Sequence, residues 1–476
     1  MRIAIILLSV LVSSQGFSQA WSLDSCVSYA LHNNLSVVQS KQNIKLAEIN
    51  EDVALGGMLP SLNAQGSHGY NWGQRIDPFT NQFASERIQS NNFGLATSVN
   101  LFNGFAQVNT LKQSGLNTEV SRWNFEKMRN DIALNVATAY LNVLINREFE
   151  EIAKRTLEST DRQVTRMQKL VDAGQMSVGN LNELLAQQAS NNASLVSAHN
   201  STELAKLSLM QLLQLSTDQM KTFSIEIPQI EDIGGMDMIS NPDILVQAAL
   251  NNFPEIKSAT VNVASADLGK KIASANYYPS LNASFSYGTG YSGAAKVVTG
   301  NPDTLSYPIG TVVGTGDYVL SIPQLMYNTD DYKTKGFNDQ LKDNINKSLF
   351  FTLNIPLFNG FSARSSVKRS EVNHEIAQIQ LEQAKQTITQ NVYSAHADAN
   401  AALANYYANK SSVASSEKAM EWAELRFEQG LSNNVEYSDA RTRLENARAN
   451  MTRSKYEFIF KLKLLEFYQG KPISLK

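Results

Sequence analysis

One five-residue phrase, Leu101-Phe102-Asn103-Gly104-Phe105, returns as Leu357-Phe358-Asn359-Gly360-Phe361, and that return restricts the chain to two copies of one architecture. The same offset of 256 residues links Gly174 to Gly430 and Val136 to Val392, so the segment after each phrase runs without a net gap. Upstream the offset is 219: Pro60-Ser61-Leu62-Asn63-Ala64 recurs at 279–283, and Ala30-Leu31-His32-Asn33 recurs as Ala249-Leu250-Asn251-Asn252. The second copy therefore carries 37 extra residues, the difference between 256 and 219, between those two landmarks. An insertion accepted at a single point reads as a surface loop.

The start of the chain has one positive charge (Arg2), an apolar run from Ile3 to Val12 and a small-residue end, Ser18-Gln19-Ala20. This is the layout of a cleaved secretory signal over residues 1–20, with the mature chain starting near Trp21. A run of about ten apolar residues is too short to span a bilayer as a helix, and no other stretch approaches the ~18 required. Any membrane span must then be a β-barrel. Cys26 is the sole cysteine, so no internal disulfide is possible. The acidic Leu23-Asp24-Ser25 before it makes a poor lipid-attachment site, and a buried thiol is the simpler expectation. A net charge of −3 offers no basic field for nucleic acid.

From Leu23 to about Gly56 the apolar positions Leu23, Val27, Ala30, Leu35 and Val38 step by three to four, which predicts a helix ending at Gly56-Gly57. Strict alternation follows: Leu62, Ala64, His68, Tyr70 and Trp72 against Asn63, Gln65, Ser67, Gly69 and Asn71. A second strand runs over about 93–101, with Phe93, Leu95, Val99 and Leu101 on one side. The second copy repeats both strands, as Leu281, Ala283, Phe285, Tyr287 and Tyr291, then Leu349, Phe351, Leu353, Ile355 and Leu357. Such strands suit the core of a soluble sandwich or a lipid-facing barrel with a wet lumen and an aromatic girdle. Tyr70, Trp72, Phe285, Tyr287 and Tyr291 are the candidate girdle residues. Four strands cannot close a barrel, and open edges cannot face lipid, so a membrane reading requires several chains to share one barrel.

After each LFNGF phrase the period changes from two to seven. Val136, Ala139, Val143, Asn146, Glu150 and so on to Val171 occupy the same heptad places as Val392, Ala395, Ala399, Ala402, Tyr406 and so on to Phe427. A sustained heptad predicts supercoiled packing, and the many small or polar seam residues suit close approach. At about 1.5 Å per residue, a continuous helix from about 106 to Gly174 is roughly 100 Å long. Gly174 and Gly430 end these helices, and shorter helices return over about 178–215 and 435–468.

The expected organisation is a signal peptide (1–20), a first repeat (21–216), a linker (217–243), a second repeat (244–468) holding a Gly-, Thr-, Asp- and Tyr-rich loop (about 289–347), and a tail (469–476). Taken together, the signal, the two copies of helix, strand, strand, long helix, glycine tip and returning helix, and the PSL and LFNGF landmarks resemble the TolC-type outer-membrane factor (outer membrane efflux protein) family. The opening Trp21-Ser22-Leu23-Asp24-Ser25-Cys26-Val27 looks like the form found in Bacteroidetes members.

This resemblance implies an α+β membrane protein: a homotrimer whose twelve strands form one outer-membrane barrel and whose helices form a coiled-coil periplasmic barrel. It implies docking on a periplasmic adaptor (a membrane fusion protein) and an inner-membrane pump of RND or ABC type, in a Gram-negative cell. Gly174-Gln175-Met176 and Gly430-Leu431-Ser432 match the glycine turns that family members present to adaptors. Glu436 and Asp439, six and nine residues past the second glycine, match acidic positions that ring the closed periplasmic entrance, and Asn180 and Glu183 are their first-copy counterparts. Three copies of each carboxylate form two stacked rings that favour cations. A solvated helix face is the plainer reading of the same spacing.

No catalytic constellation or cofactor motif accompanies these features. Gly288-Thr289-Gly290-Tyr291-Ser292-Gly293 matches GxGxxG, but no helix follows it. The histidines at 32, 68, 199, 374 and 396 lack metal-ligand spacing. Two readings remain: a passive exit duct of an efflux or type I secretion system, opened by partners at its tips, and a structural coiled-coil envelope protein without channel activity.

Overall fold

A computed structural model describes residues 20–84, 87–228, 241–328, 331–429, 431–432 and 434–473. Residues 1–19 of the expected signal segment, 229–240 of the linker, Gly430 and the last three residues of the tail lie outside the described residues. The chain divides into two compact units, one comprising residues up to 50, 114–267 and from 372 onward, the other 51–113 and 268–371.

The first unit is helical. Helices α1 (Leu23–Asn33) and α2 (Leu35–Gly56) replace the single helix expected over 23–56. Asn34 separates them with an extended backbone, donates its side-chain amide to the Leu212 carbonyl (2.8 Å) and accepts the Ser36 N–H (2.9 Å), restarting the helix as an N-cap. The second copy breaks 219 residues later, at Phe253, between α6 (Pro242–Asn252) and α7 (Pro254–Ser274). There the cause is Pro254, which excludes the preceding residue from the helical region and then serves as a first-turn residue. The same bend is thus built by a side-chain cap in one copy and a proline in the other.

The offset of 256 survives at both ends of the long helices and at the starts of their returning partners. Helices α3 (Ala106–Asp172) and α9 (Ser362–Glu428) are each 67 residues long, and their returning partners α4 (Val178–Leu213) and α10 (Asn434–Tyr468) start 256 residues apart. Every seam residue of the two heptads is buried or half-buried, as the period predicts. Val136 and Val143 of α3 and Val392, Ala395 and Ala399 of α9 join one core with Leu23, Cys26 and Ala30 of α1. Cys26 is wholly buried, and that burial pushes its thiol up to about 12, so in the fold it is a small core residue. A short helix, α5 (Thr217–Thr222), follows α4 and is closed by a Ser216–Gln219 capping box.

The second unit holds the sheet. Strands β1 (Ser61–Asn71) and β4 (Ile88–Asn103) flank a small hairpin, β2 (Arg75–Ile76) and β3 (Phe83–Ala84). Strands β5 (Ser280–Ser292) and β12 (Asn346–Asn354) are their second-copy equivalents. The order β1-β4-β5-β12 is antiparallel throughout, so the two copies meet at the β4–β5 pair and leave β1 and β12 as edges.

The insertion is built as a ribbon rather than an irregular loop. Three nested antiparallel ladders pair β6 (Lys296–Val298) with β11 (Tyr332–Thr334), β7 (Asp303–Leu305) with β10 (Gln324–Met326), and β8 (Pro308–Thr311) with β9 (Tyr318–Leu320). The turn at its end places Gly314 and Gly316 at positive φ. Helix α8 (Phe337–Asp343) then carries Gln340 back to pair both main-chain groups of Ser292, supplying β5 with a partner where β12 has not yet begun.

Asp77 fastens the small hairpin to the end of β5. Its carboxylate accepts from the Ser292 hydroxyl (2.5 Å), from the Phe79 and Thr80 N–H groups and from the Thr80 hydroxyl. Burial raises its pKa, but these four donors together outweigh that and leave it below the usual carboxylate value. A depressed folded pKa means that the stabilisation is complete above the ordinary value of about 4 and is lost as pH falls through the folded value. Proteolysis of residues 73–84 is therefore expected to accelerate only in strong acid for the natural protein, and to be fast at all pH for Asp77→Ala. Equal cleavage of the two at neutral pH would remove the fastening role.

Candidate functional site

The strand face and the helical tips carry the residues of interest, and each lies within one unit. In the sheet a single register brings the apolar residues of four separate strands into rows. Leu62, Thr97, Phe285 and Leu349 stand side by side, and the next row is Ala64, Leu95, Tyr287 and Lys347. The opposite face reads Ser61, Ser98, Ser284, Phe350, then Asn63, Ala96, Ser286, Ser348, then Gln65, Gly94, Gly288, Asn346. One face is greasy and the other is small or polar, apart from Phe350, and both are largely open to solvent.

Of the girdle candidates, Tyr70, Phe285, Tyr287 and Tyr291 share the apolar face, with Tyr70 and Tyr291 toward the β1–β4 turn. Trp72 lies one residue past β1, its ring 6.3 Å from that of Tyr70. Arg87 stacks over Tyr70 at 4.9 Å.

The alternation expected in the second strand ends early. A β-bulge after Asn100 makes Leu101 the extra residue and sets Phe102 opposite Leu281. One inserted residue reverses the faces, so Phe102 rather than Leu101 rejoins the apolar row. Each LFNGF phrase then turns the strand into a long helix through two consecutive left-handed residues, Gly104 and Phe105 at φ +65° and +64°, and Gly360 and Phe361 at +61° and +63°. The Asn103 and Asn359 side chains accept N–H groups of the first helical turn, at 3.3 and 3.4 Å. Phe102 and Phe105 pack edge to face at 5.3 Å, as do Phe358 and Phe361 at 5.7 Å.

At the first tip α3 closes with a Schellman motif. The Gln175 N–H reaches the Leu170 carbonyl and the Gly174 N–H reaches that of Val171, both at 2.9 Å, with Gly174 at φ +69°. Nothing lies within 4 Å of a Cβ placed on Gly174, so glycine is required there by conformation and not by space. Ser177 then caps α4 by accepting the Asn180 N–H (3.3 Å). Beneath the tip Met167, Leu181 and Leu184 form a small apolar cluster with Val164 and Val171.

The second tip repeats the long closing bond, Leu431 N–H to the Arg426 carbonyl at 2.8 Å, which is the Gln175–Leu170 bond displaced by 256. Its chemistry differs. Where the first copy has Leu170, Arg426 reaches across the turn to the Leu431 carbonyl (3.3 Å) and the Glu436 carboxylate (3.8 Å). Where the first copy has Val171, Phe427 packs on Tyr437 at 5.0 Å, and Arg166 of the first hairpin lies over the Phe427 ring at 6.0 Å. Asn180, Glu183, Glu436 and Asp439 are all exposed, within the first six residues of α4 and α10. Glu436 sits in the first turn of α10, where the helix dipole favours negative charge, which is a sufficient structural reason for its presence. Arg166, Arg426 and Tyr437 escaped the sequence reading, which had Phe427 only as a heptad seam residue; the visible signal was the replacement of Leu170 and Val171 by a cation and a ring in the second copy.

Among the described residues no cluster of His, Cys, Asp and Glu could hold a metal, and no helix is long and apolar enough to cross a membrane. A family model described as outer membrane efflux protein matches residues 26–214 and 245–459, the two repeats in turn. The outer membrane protein TolC of Escherichia coli (strain K12) is 22% identical over 338 residues, 70% of this chain and 60% of that protein, so the match spans less than two thirds of that relative. The crystal structure of the outer membrane protein VceC of Vibrio cholerae superposes with a TM-score of 0.72 at 17% identity, covering 95% of this chain and 96% of that one. Crystal structures of CusC superpose equally well, with a TM-score of 0.72 at 16% identity over 94% of this chain and 92% of the other.

Proposed function

The chain belongs to the outer membrane efflux protein family, a family of outer-membrane channels and not of enzymes, and from that premise we propose that it is the outer-membrane exit duct of a tripartite efflux or type I secretion system. The observation that carries this reading is the open four-stranded sheet. Its apolar rows suit lipid and its polar rows suit a wet lumen, while β1 and β12 present unpaired edges that hydrocarbon does not tolerate. Copies joined β12 to β1 leave no edge, and family membership implies three of them, a homotrimer with twelve strands.

The tips are the proposed docking points for a periplasmic adaptor and, through it, an inner-membrane pump. The duplication supplies two similar glycine turns per chain, hence six per trimer. Glu436 and Asp439 are the proposed constriction, with Asn180 and Glu183 beside them in the ring. The Arg426 contact qualifies this: an exposed ion pair is worth only about 0–1 kcal/mol, so Glu436 is shared between its own hairpin and the pore rather than locked to either.

The test is single-channel conductance of the detergent-extracted protein in planar bilayers, beside Glu436→Ala with Asp439→Ala. A small, cation-selective conductance is expected for the natural protein, with the preference for cations falling several-fold in the double variant. Conductance that ignores the substitutions would keep the duct and remove the carboxylate constriction. Folded protein that forms no channel would bring forward the structural coiled-coil reading.

A further inference from the structure

The distal half of the inserted ribbon is built to be covered. The 23 residues from Thr304 to Met326 carry one charge, Asp317, although lysines and aspartates are frequent at the base of the same ribbon. Ile309, Val313, Tyr318, Leu320, Ile322 and Leu325 in this stretch are each more than half exposed. A lone two-stranded ribbon is marginally stable in water, and exposed strand edges are normally guarded by lysine, proline or bulges. Here Pro308 opens β8 and the register shifts between it and Gly310, Pro323 precedes β10, and no lysine or arginine guards the rest of the tip. Among the described residues β8 and β9 pair only with each other.

The chemistry of the edges selects the occupant. Lipid is excluded, because the outward N–H and C=O groups of an open ladder cannot enter hydrocarbon. Water can hydrate them, but only another strand both pairs them and covers the exposed apolar side chains beside them. The ribbon leaves β5 through the Ala295–Lys335 main-chain bond, beside β12, the edge that a neighbouring copy must cover if the sheet is to close. The copy that closes the sheet therefore brings an identical ribbon alongside, and the absence of charge from Pro308 to Gly316 means that like meets like without repulsion.

We propose that the ribbons of neighbouring copies pair edge to edge through β8 and β9, forming an inter-chain β-collar over the outer mouth. The proposal rests on the oligomeric duct reading above.

Val313→Cys in the full-length protein provides the test, since the only natural thiol, Cys26, is buried. Oxidation is expected to link pairs of chains both in isolated outer membranes and in the purified oligomer. Adding Ile309→Lys and Leu320→Lys, which charges both strands, is expected to lower the linked fraction several-fold, and with it the hydrogen-exchange protection of β8 and β9 amides. Light scattering supplies the mass independently. A trimeric mass with unlinked chains and unprotected amides overturns the collar and leaves the duct; a monomeric mass overturns both. Linkage or protection found in outer membranes but not in the purified trimer would assign the ribbon to another surface component and overturn the collar.

Discussion

Gly104→Ala is expected to destabilise the protein by about 2–5 kcal/mol, while the same change at its repeat partner, Gly360→Ala, costs about 1–2 kcal/mol. Both glycines hold left-handed backbone, at φ +65° and +61°, and an alanine at either pays the steric cost of that region. The surroundings separate them. A Cβ on Gly104 meets the Ala275 carbonyl oxygen and the Tyr278 Cβ at 2.9 Å, whereas nothing lies within 4 Å of one on Gly360. The Ala275 obstacle is backbone, in the short turn of 3-10 helix (Ala275–Tyr277) that leads into β5, so it cannot swing aside as a side-chain tip would. Relief must come from moving either that turn or the β4–α3 junction, an overpacking cost typically of about 1–3 kcal/mol beyond the backbone strain. Denaturant unfolding of the detergent-solubilised variants checks the ranking. Equal losses would mean that the close approach at Gly104 relaxes without cost and that conformation alone explains both glycines.

The second large effect is expected at Tyr140, which is 1% exposed in the middle of α3. Its hydroxyl donates to the Glu226 carbonyl at 2.6 Å and lies 3.2 Å from that of Trp21. These carbonyls belong to a clip in which Trp21 pairs in parallel with Ile225: the Trp21 N–H reaches the Ser224 carbonyl and the Glu226 N–H reaches that of Trp21. Burial pushes the phenol well above its ordinary pKa, so it remains a neutral donor. Tyr140→Ala removes the ring and the donor together and is expected to cost about 3–5 kcal/mol, the usual range for emptying a large core position. Tyr140→Phe keeps the ring and withdraws the donor from a buried carbonyl, for about 1–3 kcal/mol. Thermal or denaturant unfolding of the two variants separates packing from hydrogen bonding. If Tyr140→Phe equals the natural protein while Tyr140→Ala does not, the hydroxyl contributes nothing and the clip holds by packing alone.

Much of the candidate site could be read from residue spacing because its parts are periodic or locally demanding. Gly174 stands out because only glycine takes a left-handed Schellman position without strain, and the structure closes that turn as expected. The tip network could not be read in this way. Arg426 meets Glu436 only because the turn folds α10 back against α9, and Arg166 meets Phe427 only because one hairpin packs beside the other. Contacts between elements distant in sequence have no period to betray them.

Local grammar alone determined the duplication, the change from period two to period seven, the glycine ends of the long helices spaced by 256 residues and the need for more than one chain in any barrel. Each depends on steric rules acting within a few residues, or on counting. Three-dimensional packing decided what depends on register. The bulge that exchanges Leu101 for Phe102 on the apolar face, the joining of the copies at β4–β5, and the close approach that makes Gly104 unlike Gly360 all arise where one strand or turn meets another. A repeat in sequence transmits backbone geometry faithfully, since neighbouring residues impose it. It does not transmit surroundings, because what a residue touches is set by the other half of the chain.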